Sequence, residues 1–273
     1  MVTVVFGARG NVGRQVAAGL ADLGVPTRLT SRTPDATRVA ADLEVPGTLP
    51  GALEGATQVF LYAKPAGVDA FVAAARAAGV RHVVLLSSAA VVQPGADTNP
   101  IARDHRAVEQ ALEESGLSWT FVRPGIFATN TRWWWTRPIV AGEAVRLPYP
   151  EALTAPVGER DMAAVAVAAL TDRRHAGRAY TVYGPQALSL RAQVGHLGAA
   201  LGREIPVETV TPEEGRADLA ATMPAVAADA VMGAWRAGVE AAPETSTVVE
   251  EITGRPGQTF AEWAREHADD FRA

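Results

Sequence analysis

The sequence predicts an α/β fold, a doubly wound parallel sheet followed by a small carboxyl-terminal α+β lobe. A short apolar run, Val2–Phe6, leads directly into a glycine-rich turn and then into a helical pattern. Strand-like and helix-like segments then alternate regularly as far as about residue 125, which favours parallel strands joined by helical crossovers. The length of 273 residues allows one large sheet domain and a smaller lobe.

The opening residues form one strand–turn–helix–strand unit. The turn Gly7–Gly13 has the spacing G-x-x-G-x-x-G, the helix after it ends at Gly24, and a second strand follows at Thr27–Thr30. This order of elements within about 30 residues is typical of a Rossmann-type dinucleotide-binding unit. The alternative is a tight turn between strand and helix that binds no ligand.

Each glycine of the turn has a physical task in such a unit. Gly7 allows the sharp turn, Gly10 lets the backbone approach a pyrophosphate, and Gly13 lets the helix pack closely on the strand. The free amides and the helix dipole then attract the anion. The predicted dinucleotide contacts in this turn are Gly7, Arg9, Gly10, Asn11, Val12 and Gly13.

The end of the second strand indicates which dinucleotide is bound. An NAD site usually places an acid there for the ribose 2′-hydroxyl, whereas arginine accommodates a 2′-phosphate. This chain has Ser31 and Arg32, and Arg9 of the turn is expected to reach the same phosphate. The next acid, Asp35, follows Pro34 and is expected in a loop. We therefore predict NADP(H), with two solvated surface arginines as the alternative.

The rest of the first domain predicts further strands and helices. The expected elements are a helix at 37–43, strands at 44–47 and 58–62, a helix from Val68 to Gly79, a strand at 82–86, a helix from Pro100 to Gly116 and a strand at 118–123. Ala63 and Lys64 follow the strand at 58–62, and Ser87 and Ser88 follow the strand at 82–86. Because carboxyl ends of parallel strands line the ligand crevice, these residues are candidates for cofactor or substrate contacts. Alternatively, the serines only cap the strand and Lys64 is solvated.

The character of the sequence changes after Asn130. The predicted dinucleotide domain covers 1–130 plus about 157–185, and the predicted substrate lobe covers 131–156 and 186–273. The lobe includes a helix at 190–201, a strand at 205–210, capping boxes at Thr211 and Thr259, and a helix break at Pro224. Trp133, Trp134 and Trp135 are candidates for the wall of a pocket for a planar substrate. Core packing or a dimer contact is the alternative.

The chain resembles the NmrA-like group of atypical short-chain dehydrogenase/reductases. The resemblance is carried by residues 7–14, 31–32, 86–88, 109–120, 123–125, 127–130, 160–166, 253–256 and 259–263. It implies an NADP(H)-binding Rossmann domain and a carboxyl-terminal lobe that covers a substrate cleft containing Phe127. It also implies that Pro124, Gly125 and Ile126 face the nicotinamide. Some members reduce quinones or similar carbonyl compounds, and others are redox sensors.

The sequence departs from short-chain reductases at their Tyr-x-x-x-Lys dyad. Ile101 stands at the tyrosine position and His105 at the lysine position. In the dyad, lysine lowers the tyrosine pKa so that the phenol can protonate the reduced carbonyl. His105 is therefore a candidate proton donor or ribose contact, alongside Ser87 and Ser88. The alternative is an ordinary hydrogen-bonded histidine on the inner face of a helix.

These residues predict an NADPH-dependent reductase of an aromatic, quinone-like or enone-like small molecule. A redox-sensing NADP(H)-binding protein and a non-redox isomerase or cyclase are the alternatives. The net charge of −5 and the lack of a basic stripe argue against nucleic acid, and the lack of cysteine excludes disulfides. No metal-ligand spacing, membrane span or signal peptide is found, so a cytoplasmic monomer or homodimer is expected.

Overall fold

The computed structural model describes residues 2–272, which form two compact units. The first unit contains the residues up to Gly125, Glu159–Val182 and Val248–Arg255. The second contains Ile126–Gly158, Tyr183–Thr247 and the residues from Pro256 onward. The predicted lobe had included residues 248–255, which instead belong to the first unit.

The strands and helices are numbered along the chain. The strands are β1 (Val2–Val5), β2 (Thr27–Ser31), β3 (Arg38–Ala40), β4 (Ala56–Tyr62), β5 (His82–Leu86), β6 (Ser118–Pro124), β7 (Val145–Leu147), β8 (Leu153–Thr154), β9 (Arg178–Val182), β10 (Leu188–Ser189) and β11 (Val207–Thr209). The helices are α1 (Asn11–Asp22), α2 (Leu49–Leu53), α3 (Val68–Ala77), α4 (Pro100–Glu114), α5 (Asn130–Ala141), α6 (Glu159–Thr171), α7 (Leu190–Leu201), α8 (Pro212–Ala220), α9 (Ala225–Glu240), α10 (Val248–Thr253) and α11 (Phe260–Glu266). No described helix is both long and apolar enough to cross a membrane.

The first unit is built on a parallel sheet of seven strands. Their order is β3-β2-β1-β4-β5-β6-β9, so the chain reverses its direction of winding between β1 and β4. The register places Val5 between Leu29 of β2 and Phe60 of β4. The carboxyl ends of β1 and β4 therefore border the switch point at which doubly wound sheets bind ligands. The predicted Rossmann-type α/β fold is confirmed.

The apolar strands predicted for this sheet are buried as expected. Val4, Val59 and Val83 are fully buried in one core together with Phe71 of α3. The predicted stripe of α1 is likewise buried at Val12, Val16 and Leu20. Burial of such side chains contributes about 1.5–3 kcal/mol each, so the central strands hold the unit together.

The two predictions for residues 37–47 are wrong. Instead of a helix at 37–43, Arg38–Ala40 forms the edge strand β3, whose backbone pairs with Leu29–Ser31. Instead of a strand at 44–47, the chain makes a 3-10 turn at Pro46–Thr48 that leads into α2. Pro46 has no N–H for a sheet ladder, and the Thr48 hydroxyl donates to the Val45 carbonyl at 2.8 Å, which favours the turn.

The second unit has its own core and two small sheets. β8 pairs antiparallel with β10, and β7 pairs parallel with β11. Trp135, Trp235 and Trp263 are among its buried core residues. The capping boxes at Thr211 and Thr259 are both present, and α9 begins directly after Pro224, as predicted.

His82 is a buried histidine at the amino end of β5. The Thr120 hydroxyl donates to the His175 carbonyl at 2.7 Å, so it accepts from Nε2 of His82 at 2.9 Å. Burial lowers the pKa of His82 to about 4, with smaller contributions from the charges of Arg173 and His175. The native state therefore resists protonation of this ring.

Acidification should destabilise the first unit through His82. Because the folded pKa lies below the ordinary value of 6.5, its stabilising contribution is complete above pH 6.5 and is lost as the pH falls toward 4. The loss amounts to roughly 3 kcal/mol at most. Urea unfolding should show that the free energy of unfolding falls less between pH 7.5 and pH 4.5 for His82→Gln than for the native chain. His196→Gln on α7 is the control. The same dependence of the free energy of unfolding on pH in the native chain and in His82→Gln would contradict the expectation.

Candidate dinucleotide-binding site

The turn after β1 brings α1 very close to the strand. Gly7 has a φ of +67°, which is the left-handed region. The Gly10 amide donates a hydrogen bond to the Gly7 carbonyl at 2.8 Å and closes the turn. A Cβ on Gly13 would lie 2.3 Å from that same carbonyl oxygen. Only glycine fits at position 13 without displacing the backbone of the turn. The helix axis is thus held directly against the end of β1.

The amino end of α1 is prepared for an anion. No side chain caps it at Gly10, and its first turn contains no acidic residue. The first amides of a helix have no partner within the helix, so those of Asn11, Val12 and Gly13 are available to a ligand. Backbone amides at the start of a helix can bind a pyrophosphate, and we call these three amides the phosphate cradle. The residues present therefore fit the dinucleotide that the sequence predicts.

The end of β2 carries the charged residues predicted to select the cofactor. Ser31 is buried, and its hydroxyl accepts from the Thr33 amide at 3.2 Å. The Arg32 side chain is exposed and makes no hydrogen bond or ion pair with the described residues 2–272. Arg9 instead forms an ion pair with Asp35 at 2.7 Å. A loop position was correctly expected for Asp35, but its ion pair with Arg9 was missed.

Lys64 lies at the carboxyl end of β4, next to Ala63. Its Nζ forms a half-exposed ion pair with Glu44 at 3.0 Å. An exposed pair of this kind contributes about 0–1 kcal/mol, so it holds the lysine only weakly. Its predicted role toward the cofactor stays a prediction.

A buried charged network underlies the carboxyl end of β5. Glu109 of α4 is fully buried, and Arg123 of β6 donates to both of its oxygens, at 2.8 and 2.7 Å. Ser87 donates its hydroxyl proton to the same carboxylate at 2.6 Å, and Arg106 adds a contact at 3.3 Å. The Ser87 proton is therefore committed to Glu109, which leaves it unavailable to a substrate.

Sequence reasoning missed this network, although it contained a signal. Glu109 stands between Val108 and Leu112, which are both buried on the inner face of α4. A carboxylate on such a face requires a partner, because an unpaired buried charge is very costly. Arg123 at the end of the neighbouring strand is that partner.

Ser88 and His105 differ from Ser87 because the Ser88 hydroxyl proton and the His105 Nε2 are not used in a hydrogen bond to the described residues. The Ser88 oxygen accepts from the Ala90 amide at 3.2 Å, which leaves its own proton unassigned. Nδ1 of His105 lies 2.8 Å from the Ile101 carbonyl, so this nitrogen carries the proton and donates it. Nε2 of the ring is then the nitrogen available to other groups. Ile101 itself is 42% exposed and offers no acid.

The remaining candidates fall in both units. Pro124 is the last residue of β6, and the amide of the following Gly125 donates to the Val182 carbonyl of β9 at 2.9 Å. Ile126 and Phe127 begin the second unit, where Phe127 bridges to Val157. None of the described residues forms a cluster of three or more His, Asp or Glu side chains suited to a metal.

The three consecutive tryptophans on α5 have different environments. Trp135 is 2% exposed in the core of the second unit, so it packs rather than forming a pocket wall. Trp134 contacts Trp235 edge to face, with ring centroids 5.3 Å apart. Trp133 is 67% exposed. The prediction that all three line a pocket is therefore corrected for Trp135.

Comparisons with known proteins identify the class of this site. Residues 7–173 match a family described as NAD(P)H-binding. A (4-alkanoyl-5-oxo-2,5-dihydrofuran-3-yl)methyl phosphate reductase of Streptomyces griseus subsp. griseus is 42% identical, with 98% of each chain covered. An NAD(P)H azoreductase of Xenophilus azovorans is 34% identical, with 99% of each chain covered.

A solved structure agrees with the fold. The NADPH-dependent quinone oxidoreductase of Escherichia coli, complexed with NADPH, has a TM-score of 0.80 at 23% identity. The match covers 97% of this chain and 99% of that one. Fold and glycine turn together define a dinucleotide-binding domain. The chain belongs to the NAD(P)H-binding family and is an NAD(P)H-dependent oxidoreductase.

Substitution of Gly13 should weaken dinucleotide binding strongly. In Gly13→Ala the new Cβ collides with the Gly7 carbonyl and displaces the turn, so the Kd for NADPH should rise at least tenfold. Fluorescence titration measures the Kd, and thermal unfolding reports the accompanying loss of stability. Gly51→Ala, where no atom lies within 4 Å of the new Cβ, is the control. Unchanged NADPH binding by Gly13→Ala would contradict the assigned cradle.

Removal of the charge on Glu109 should destabilise the first unit strongly. Glu109→Gln leaves Arg123 without its carboxylate, which we expect to cost about 3–5 kcal/mol in the free energy of unfolding. Glu113→Gln is the matched control, because Glu113 pairs with the other side of Arg106 near solvent and should cost below about 1 kcal/mol. Urea unfolding measures the free energy of unfolding of the two variants. Equal, small losses in both variants would show that the buried network contributes little.

Proposed function

We propose that this protein is an NADPH-dependent reductase of conjugated carbonyl compounds, either quinones or enone-like molecules such as acylated butenolides. The Streptomyces relative is named for a dihydrofuran ring whose C=C bond is conjugated with a ring carbonyl and an alkanoyl carbonyl. The Xenophilus relative is named for azo compounds, and the Escherichia coli enzyme for quinones. All three substrate classes are electron-poor conjugated acceptors.

The observation that carries the proposal is the replacement of the usual acid on α4. Ile101 occupies the tyrosine position, and the Ile101 carbonyl accepts from Nδ1 of His105. Reduction of an isolated carbonyl produces a strongly basic alkoxide and therefore benefits from a strong acid in place. Reduction of a quinone or a doubly activated C=C bond produces a delocalised, weakly basic anion. A site without the tyrosine suits the second kind of substrate.

NADPH supplies the hydride in this chemistry. The chain then has to orient the substrate, stabilise the negative charge that develops on its carbonyl oxygen and return one proton. Ser88 is suited to the second task because its hydroxyl proton is unassigned, whereas the proton of Ser87 is held by Glu109. His105 is suited to the third, because its protonated ring can donate from Nε2 while Nδ1 stays bonded to Ile101.

The preference for NADPH rests on charge at the end of β2. Arg32 is exposed and Arg9 is half-exposed, and no acid stands at the position that holds a ribose 2′-hydroxyl in NAD sites. Pro124, Gly125 and Ile126 are proposed to face the nicotinamide. Trp133, with Trp134 and Phe127, is proposed to contact a planar substrate ring, because an exposed aromatic face is available for stacking.

A substrate panel tests the proposal. NADPH oxidation should occur with quinones and with 2-acylbutenolides, and should be absent with simple ketones. His105→Gln should lower kcat about 10- to 100-fold for the butenolide and less for the quinone, whose reduced anion is less basic. Arg103→Ala, on the exposed face of the same helix, is the control. Tight NADPH binding with no oxidation of any panel member would favour a redox-sensing protein instead.

A further inference from the structure

The loop between β2 and β3 contains a compact cluster of opposite charges. Oδ2 of Asp35 accepts from Arg9 and from Arg38, each at 2.7 Å. Oδ1 accepts from the amide and the hydroxyl of Thr37, both at 2.8 Å. Solvent reaches the cluster, since Asp35, Thr37 and Arg38 line a surface cavity of about 340 Å³.

The charges in this region do not balance. Arg9 and Arg38 bring two positive charges to the single carboxylate of Asp35, and Arg32 stands at the start of the same loop. Nε of Arg38 is buried and has no hydrogen-bond partner within the described chain. Thr37, Arg9 and Arg38 all favour the ionised carboxylate and hold the pKa of Asp35 well below its usual range. Asp35 is therefore an anion already bound by two of the arginines.

We propose that Asp35 sets the choice between NADPH and NADH by competing with the 2′-phosphate for Arg9 and Arg38. The inference rests on the proposed preference for NADPH and adds Arg38 and Asp35 to the residues that determine it. A phosphate presents anionic oxygens that accept hydrogen bonds, as the carboxylate does, and both bind arginine through paired N–H···O bonds. Asp35 keeps the two guanidinium groups oriented, but it also repels the phosphate and must give up its ion pairs when the phosphate binds.

The same carboxylate does not disfavour NADH. Thr37, Arg9 and Arg38 already donate two hydrogen bonds to each oxygen of Asp35, so the carboxylate has no acceptor site left for the ribose 2′-hydroxyl. With NADH, Asp35 keeps its arginine partners. With NADPH, it loses them to the phosphate. Asp35 therefore narrows the difference in affinity between the two cofactors and lets the enzyme accept both.

The test is a set of binding titrations that need no substrate. Asp35→Asn should lower the Kd for NADPH about fivefold to tenfold and leave that for NADH nearly unchanged. Arg38→Gln should raise the Kd for NADPH about tenfold and leave NADH nearly unchanged. Adenosine 2′,5′-bisphosphate and adenosine 5′-monophosphate, which differ by the 2′-phosphate alone, should reproduce both effects without the nicotinamide.

Asp172→Asn is a closely matched control. Asp172 also accepts from the backbone amide two residues further on and pairs with an arginine, Arg174, but it lies in the loop before β9. It should change neither Kd, and thermal unfolding should show losses comparable to those of Asp35→Asn. Equal shifts for both cofactors in Asp35→Asn, or none, would overturn the proposal. A native chain that binds NADH more tightly than NADPH would instead overturn the proposed cofactor preference, whatever Asp35→Asn does.

Discussion

The close approach of α1 to the end of β1 is the constraint on which the rest of the site depends. A helix can point its first amides at a phosphate only if nothing stands between the helix end and the strand end. Gly13 meets this requirement, because any side chain there would overlap the Gly7 carbonyl. Because Arg9 lies in this glycine turn, the position of the turn also determines which residues of the β2–β3 loop the Arg9 side chain can contact.

Much of the fold and of the phosphate-binding turn can be predicted from local sequence patterns. The apolar strands, the glycine turn and the two capping boxes each depend on residues close together in the chain, so the sequence predicts them well. The segment 37–47 was misassigned because its conformation is decided by partners elsewhere. Arg38 and Val39 form a strand only because β2 offers a free edge, and no pattern within the segment reveals that edge.

The site residues follow the same rule. The backbone cradle could be predicted, since it needs only glycines at fixed spacing. The roles of Ser87 and Asp35 could not, because each depends on a partner far away in the chain. Ser87 meets Glu109 and Asp35 meets Arg9, at separations of 22 and 26 residues. A motif names the residues at a strand end, but the hydrogen bonds decide which of them have a proton or a charge left for a ligand.

The shape of β3 also has a consequence for self-association. This strand is the edge of the large sheet and is only three residues long, and the loop before it folds back through a bridge between Asp35 and Arg38. A long, flat, apolar edge invites another chain to add a strand, whereas a short edge beside charged side chains offers few backbone groups. Continuous sheet extension between copies through this edge is therefore disfavoured. The residues that we propose to adjust cofactor choice thus also make this edge unsuited to pairing with another chain.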